Sequence, residues 1–462
     1  MRGGWRLTWA WYHSALTIRQ MIERFRAAEL RPSELLRRVL DQVDQLDPTL
    51  GAFVTLDREG AARQAAVADE QWAGGTAGPL CGVPLSVKDI IDVAGLPTGC
   101  GTPGDHPPAQ TDAAVVRRLR QAGAVVLGKV HLHELALGIT GENPRLGTPK
   151  NPRDRSRLPG GSSSGSAVSV AAGMVPLSVG TDTGGSVRVP AALCGVVGFK
   201  PGFDTLPCEG VHPLARSMDH VGLLAPTVED IQLTMAALTG DSPRSPGAER
   251  RARIALLRPL HLEAERSVRE AVERALELAG VAGVAEAEPV ELDELGEAAA
   301  IYRTILLGEA VAVHQDPGSF GGDVRALLEE GASITAAELE RARERRERFS
   351  AACEARLAGF DCLATPTTLV PAPPIGARVV EVDGRSLPVR EALVRCTSPF
   401  SMVGLPALSL PCGRAAGLPV GLQLVGRRAG EGQLLALAAR IQQLIRAAPG
   451  PRVDTAPGAL NP

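Results

Sequence analysis

The sequence predicts an α/β fold, and three observations carry that prediction. Apolar residues recur at helical spacing in the first 130 residues. A helix-like stretch (residues 113–122) passes through Gly123 directly into a short β-branched run, 124–127. Short apolar runs return near the C-terminus, at 361–365, 404–411 and 421–425. Helices alternating with short apolar strands are the pattern of a sheet covered by helices.

The chain has 462 residues, 44% hydrophobic and 22% charged, with a net charge of −3. That length allows one large domain or two. No basic stripe with interleaved aromatics occurs, so the electrostatic footprint of a nucleic-acid binder is missing. Eight scattered cysteines without a C-x-x-C predict reduced thiols, not a disulfide framework or zinc site. No apolar run approaches the roughly 18–20 residues that span a bilayer. Residues 1–16 hold three tryptophans but are interrupted by Arg6 and His13, and lack the apolar run of a signal peptide. The expected location is cytoplasmic.

In chain order, a first helix is expected over 18–27. A second carries Leu35, Leu36, Val39, Leu40, Val43 and Leu46, with Ser33 as its N-cap and Pro48 just past its end. A third covers 61–72. Residues 82–92 follow, where Leu85 and Val87 alternate with Ser86 and Lys88, giving a strand that ends near Lys88. His131-Leu132-His133-Glu134 invites a metal reading, but positions two apart do not share a helix face, and a solvated or locally bonded pair is expected. Residues 209–218 form a loop. The 235–355 region is expected to be helical and variable, with Thr335 and Glu338 as a capping box opening a helix to about 357. A closing helix covers 432–447. The expected organisation is an extension (1–16), one domain (17–450) and a tail (451–462). Within the domain lie a core (80–232), the helical region (235–358) and a sheet-completing part (360–447).

The chain is organised around residues 160–201. Two glycine-serine clusters, Gly160-Gly161-Ser162-Ser163-Ser164-Gly165-Ser166 and Gly180-Thr181-Asp182-Thr183-Gly184-Gly185-Ser186, flank an uncharged apolar segment. A flexible linker would have polar flanks, so both clusters are expected as turns inside a packed core. Three motif readings fail on context. Gly161-Ser162-Ser163-Ser164-Gly165 lacks the strand that a nucleophile elbow needs. Asp182-Thr183-Gly184 lacks the second carboxylate of an aspartic-protease site. The second cluster lacks the lysine of a phosphate-binding loop. A fourth reading pairs a serine with Lys88. Burial lowers a lysine's pKa and lets it act as a base, and serine needs such a partner. The plainer alternative places Lys88 at a sheet edge, paired with Asp89 or Asp92.

Residues 160–200 resemble the signature of the amidase signature family. The resemblance rests on the Gly-Gly-Ser-Ser turn, Gly-Thr-Asp-Thr-Gly-Gly-Ser, and Pro-Ala-Ala-Leu-Cys-Gly-Val-Val-Gly-Phe-Lys-Pro, and extends to 82–95, 111–129, 151–152, 404–413 and 417–426. It implies the family's fold, a large mixed sheet with helices on both sides, and a Ser–cis-Ser–Lys triad. Ser186 resembles the acylated nucleophile, Ser162 the relay serine after a cis peptide, and Lys88 the base. The two serines lie 24 residues apart, as in the family. The implied oxyanion donors are the N–H groups of Thr183, Gly184, Gly185 and Ser186, with Asp182 and Arg188 fixing the turn. The implied reaction is hydrolysis of a small-molecule amide, with no metal or organic cofactor, no direct nucleic-acid contact and no membrane. Oligomeric state is left open, a homodimer included.

Within the family, one branch hydrolyses amides alone, and another is the glutaminase component of the glutamyl-tRNA amidotransferase. This chain departs from the amidotransferase pattern at Val189, at His133-Glu134-Leu135 and at Arg216-Ser217-Met218-Asp219-His220, which favours a free-standing amidase. It also departs from the family's usual Thr-x-Gly-Arg at Gly202-Phe203-Asp204-Thr205, which loosens expectations of the pocket. A non-catalytic binding protein on the same fold would have lost a triad member, and none is lost.

Overall fold

In the computed structural model the described residues are 16–241 and 250–448. The expected extension lies outside them apart from Leu16, and the expected tail lies wholly outside. The N-terminal layer is helical. α1 (Ile18–Arg26) opens with a capping box between Thr17 and Gln20. α2 (Pro32–Leu50) and α3 (Arg58–Ala73) follow. Ser33 is not the N-cap of α2: Arg31 holds that place and Pro32 starts the helix, where its missing N–H costs nothing. The Ser33 hydroxyl donates instead to Asp69, at 2.5 Å. Pro48 lies within the last turn, and the helix ends at Gly51 in the left-handed conformation.

One mixed sheet of eleven strands organises the molecule, in the order β1-β3-β2-β4-β6-β5-β12-β13-β9-β7-β8. Its N-terminal half contains β1 (Phe53–Leu56), β2 (Pro84–Lys88), β3 (Val125–Val130), β4 (Leu177–Thr181), β5 (Val197–Lys200) and β6 (Val221–Ala225). Strands β9 (Cys362–Pro366), β12 (Ala407–Ala415) and β13 (Leu418–Gly426) continue it, as the returning apolar runs predict, and β7 (Ala252–Leu257) and β8 (Ala285–Val290) complete it. A separate hairpin pairs β10 (Val379–Val382) with β11 (Arg385–Pro388).

The 235–355 region is not purely helical. It supplies β7 and β8, a parallel pair at one edge of the sheet. Arg253 lies between Ala252 and Ile254, and Glu286 and Glu288 alternate with Ala285 and Ala287, but alanine is depleted in strands, which weakens the period-two signal. The long charged helix, Ala336–Leu357, does carry the expected capping box, with Glu338 N–H donating to Thr335 Oγ1 at 3.2 Å.

Strand direction sets the place of the site. β2 runs parallel to both β3 and β4, with Val87 opposite Val179, while β4 runs antiparallel to β6. Lys88 and Thr181 therefore leave the sheet at the same edge, where parallel order gives way to antiparallel. Loops following the C-terminal ends of parallel strands are where α/β sheets place ligands. Two helices in which every residue is buried pack on the sheet, Ser164–Ala171 against β2 and β4, and Arg188–Cys194 against β5, β12 and β13. Their serines, alanines and glycines allow close approach to the sheet, fixing the turn that precedes each helix.

Candidate active site

Lys88, expected at a strand end, is fully buried on an interior strand. Its Nζ is hydrogen-bonded to Ser162 Oγ and to Thr181 Oγ1, at 2.7 Å each. The edge pairing with a neighbouring acid does not occur: Asp89 instead pairs with Lys129 at 2.9 Å. Burial lowers the Lys88 pKa to about 7, against an opposing pull from Asp182 and Asp219. Its hydrogen-bond partners are neutral hydroxyls, and the two carboxylates do not outweigh the desolvation of an ammonium ion.

Ser162 follows a cis Gly161–Ser162 peptide. Its carbonyl accepts the His133 N–H at 3.1 Å, and the Gly161 N–H donates to the Ile139 carbonyl at 2.7 Å. One residue on, the Ser163 N–H donates to the Ser186 carbonyl at 3.1 Å, and the Ser163 hydroxyl donates to the Thr181 carbonyl at 3.2 Å. These bonds tie the first serine turn to the second. Ser186 sits in that second turn, and lines a cavity together with Thr183, Gly184 and Tyr302.

The second turn is held from below. Asp182 and Arg188 form a fully buried two-point pair: Arg188 Nη2 donates to Oδ1 at 2.8 Å and Nε to Oδ2 at 3.0 Å. Burial pushes the Asp182 pKa up, but the Arg188 charge and hydrogen bonds outweigh it, and the carboxyl stays well below the ordinary range. Arg188 also donates to Gln423 Oε1 (2.6 Å), Ser401 Oγ (2.6 Å) and the Thr397 carbonyl (3.1 Å). Asp182 Oδ1 accepts the Gly185 N–H at 2.8 Å. That N–H is therefore committed to Asp182, so Gly185 drops out of the expected oxyanion donors and Thr183, Gly184 and Ser186 remain.

Two glycines have no alternative here. A Cβ on Gly184 would overlap the Tyr302 hydroxyl; one on Gly185, at φ +137°, would overlap Thr397 Oγ1, which itself donates to the Gly184 carbonyl at 2.7 Å. Asp219 accepts the Thr183 hydroxyl at 2.7 Å and the Leu214 N–H at 2.9 Å, so the 209–218 loop is tied to the turn.

Thr181, Asp219, Tyr302 and Thr397 were not legible as site residues. Thr181 alone left a signal, since period two places it on the same sheet face as Val179 and Leu177, at the start of the second glycine-serine cluster. The other three are brought in by tertiary contacts. The His131–His133 pair is buried rather than solvated, each at 4% exposure, because the segment passes under the first serine turn. Burial lowers His131 to about 4 and His133 to about 3, leaving both neutral. No cluster of three or more metal-ligating side chains occurs among the described residues, and all eight cysteines are free.

The family model described as Amidase matches residues 34–435. This chain belongs to the amidase family and is an enzyme of that family. Among the relatives it resembles, the GatA-type component of the glutamyl-tRNA(Gln) amidotransferase from Roseiflexus sp. (strain RS-1) is 34% identical, over 93% of this chain and 96% of that one. The AtzE component of 1-carboxybiuret hydrolase from Pseudomonas sp. (strain ADP) is also 34% identical, over 88% of this chain and 93% of that one. A crystal structure of an amidase superposes with a TM-score of 0.88 at 37% identity, covering 93% of this chain and 99% of that one.

Proposed function

We propose that this chain hydrolyses a carboxylic amide to a carboxylate and ammonia or an amine, through an acyl-enzyme on Ser186. The observation that carries the proposal is the 2.7 Å contact between the buried Lys88 Nζ and Ser162 Oγ. A neutral amine there takes the Ser162 proton while Ser162 takes that of Ser186, and Ser186 Oγ attacks the amide carbonyl. The oxyanion that forms lies against the N–H groups of Thr183, Gly184 and Ser186. Preorganised donors of this kind contribute about 3–4 kcal/mol each. The relay then runs in reverse: the proton reaches the departing nitrogen, the C–N bond breaks, and water attacks the acyl ester to release the carboxylate and restore Ser186. Asp182 and Arg188 hold the turn and do not touch the reacting atoms. Lys88, Ser162 and Ser186 supply every proton transfer in this scheme.

The test is ammonia release from a panel of simple amides. Wild-type protein is expected to release it, and Ser186→Ala to lose the activity while keeping its circular dichroism spectrum and melting temperature. Wild-type turnover by Ser186→Ala would end the assignment.

A second reading, the glutaminase component of an amidotransferase, is favoured by the relatives that carry that name at 34% identity. Val189 and the 133–135 and 216–220 segments argue for the free-standing reading. Glutaminase activity that appears only when the other amidotransferase components are added would decide for the complex.

A further inference from the structure

The cavity onto which Ser186 opens is walled mainly by apolar side chains, among them Ile139, Leu306, Leu307, Leu327 and Val394. Two arginines, Arg303 and Arg390, also line it. Arg390 lies in the short helix Val389–Val394 and lines the same cavity. Its Nη2 is buried and has no hydrogen-bond partner among the described residues. The charged groups around it are Asp323, Arg303, Arg378 and Glu142. Arg378 Nη1 lies 3.7 Å from Glu142 and 3.6 Å from Asp323, so both acids share their charge with Arg378. Arg303 is itself paired with Glu330, its Nε donating at 2.6 Å. None of the described ion pairs includes Arg390.

An arginine stays charged at any physiological pH. A buried N–H left unpaired on such a group carries a desolvation penalty that native proteins avoid unless something else supplies the acceptor. Guanidinium matches carboxylate in planar, two-point geometry. We infer that Arg390 is the substrate-recognition residue of this cavity, and that the amide cleaved at Ser186 carries a carboxylate which pairs with Arg390. The cavity has a volume of about 90 Å³. This inference rests on the reading of Ser186 as the nucleophile.

The experiment compares kcat/KM for paired amides that differ only in a carboxylate or methyl. In the acyl-side arm, malonamate is set against propionamide and succinamate against butyramide; in the amine-side arm, N-acetylglycine is set against N-ethylacetamide. In one arm the anion is expected to be preferred on the order of 100-fold, and the arm that shows it says which side of the amide carries the charge. Arg390→Met is expected to abolish that preference by lowering turnover of the anion far more than that of the neutral partner. If Arg390→Met fails to fold, Arg390→Lys, which keeps charge but loses the planar fork, is expected to cut the preference at least tenfold. Equal or better turnover of the neutral amides in both arms overturns the inference while leaving Ser186 in place, as does a preference that survives substitution of Arg390. If no amide in either arm is cleaved, the catalytic reading fails separately. Calorimetric binding of malonate and succinate to Ser186→Ala then decides on Arg390: binding lost on adding Arg390→Met supports it, and absence of binding by either anion overturns it.

Discussion

Lys88 makes its two hydrogen bonds to hydroxyls, with a pKa lowered by burial to about 7, and that sets how activity must depend on pH. The competent form is the neutral amine, so the rate rises as pH passes upward through that value and falls below it as Lys88 gains a proton. Lys88→Ala and Ser162→Ala are each expected to lower kcat by about 10²–10⁴-fold, the usual worth of a positioned base or relay. Ser186→Ala is expected to cost about 10⁴–10⁶-fold. These are read by steady-state ammonia release. Gly184 offers an independent check, because a Cβ there would overlap the Tyr302 hydroxyl. Gly184→Ala should abolish activity and destabilise by about 1–3 kcal/mol, as overpacking does, with stability partly restored by adding Tyr302→Ala. A stable, active Gly184→Ala would show that Tyr302 does not confine the turn. At this scale the sequence was most legible where chemistry and local pattern coincide. Ser162 and Ser186 stand in stretches whose glycines and apolar flanks already announce buried turns, and Lys88 stands in a stretch whose alternation announces a strand. Tyr302 and Arg390 lie in segments of ordinary helical character, and only packing from elsewhere in the chain delivers them to the cavity.

Among elements, the helix Arg188–Cys194 is held through its first residue. Arg188 spans Asp182, Thr397, Ser401 and Gln423, joining the second serine turn to the C-terminal half of the sheet. Breaking one side of a buried pair leaves an uncompensated charge, and Arg188→Met is expected to cost about 3–5 kcal/mol in urea unfolding. A loss below about 1 kcal/mol would mean that the pair does not hold the turn. The Asp182 carboxyl titrates below its unfolded value, so its contribution is fully present above about pH 4 and is lost as pH falls from there toward the folded pKa. Wild-type stability should therefore decline on that acid limb, and an Asp182→Asn variant should decline less. An element boundary was legible at Thr335 and Glu338, where the capping chemistry is local. One was missed where a partner lay far along the chain, at Ser33, whose hydroxyl turns to Asp69. The β7–β8 pair was missed because the alternation in β8 rests on alanines, which favour helix over strand, and its partner strand, β9, comes more than 70 residues after β8.

For the whole molecule, the mixed sheet brings Lys88 from the first part of the chain together with two serine turns from the middle, and the C-terminal strands hold them through Arg188. The α/β class and the sheet-completing role of the C-terminal runs were legible because short apolar strands keep their pattern over any separation. What the cavity selects was not, since its walls are gathered from residues 136–139, from helices of the 235–355 region and from the segment around residue 390. If the free-standing reading holds, the purified chain alone should hydrolyse small amides at a rate that added amidotransferase components do not raise, which an ammonia assay with and without those components checks. The most direct test of the central claim, that an uncharged lysine drives the serine relay, is the pH dependence of kcat/KM between about pH 5 and 9. An ascending limb with a midpoint near 7, abolished with the activity in Lys88→Ala, is the expected result; a flat profile, or an unchanged limb in Lys88→Ala, would contradict it.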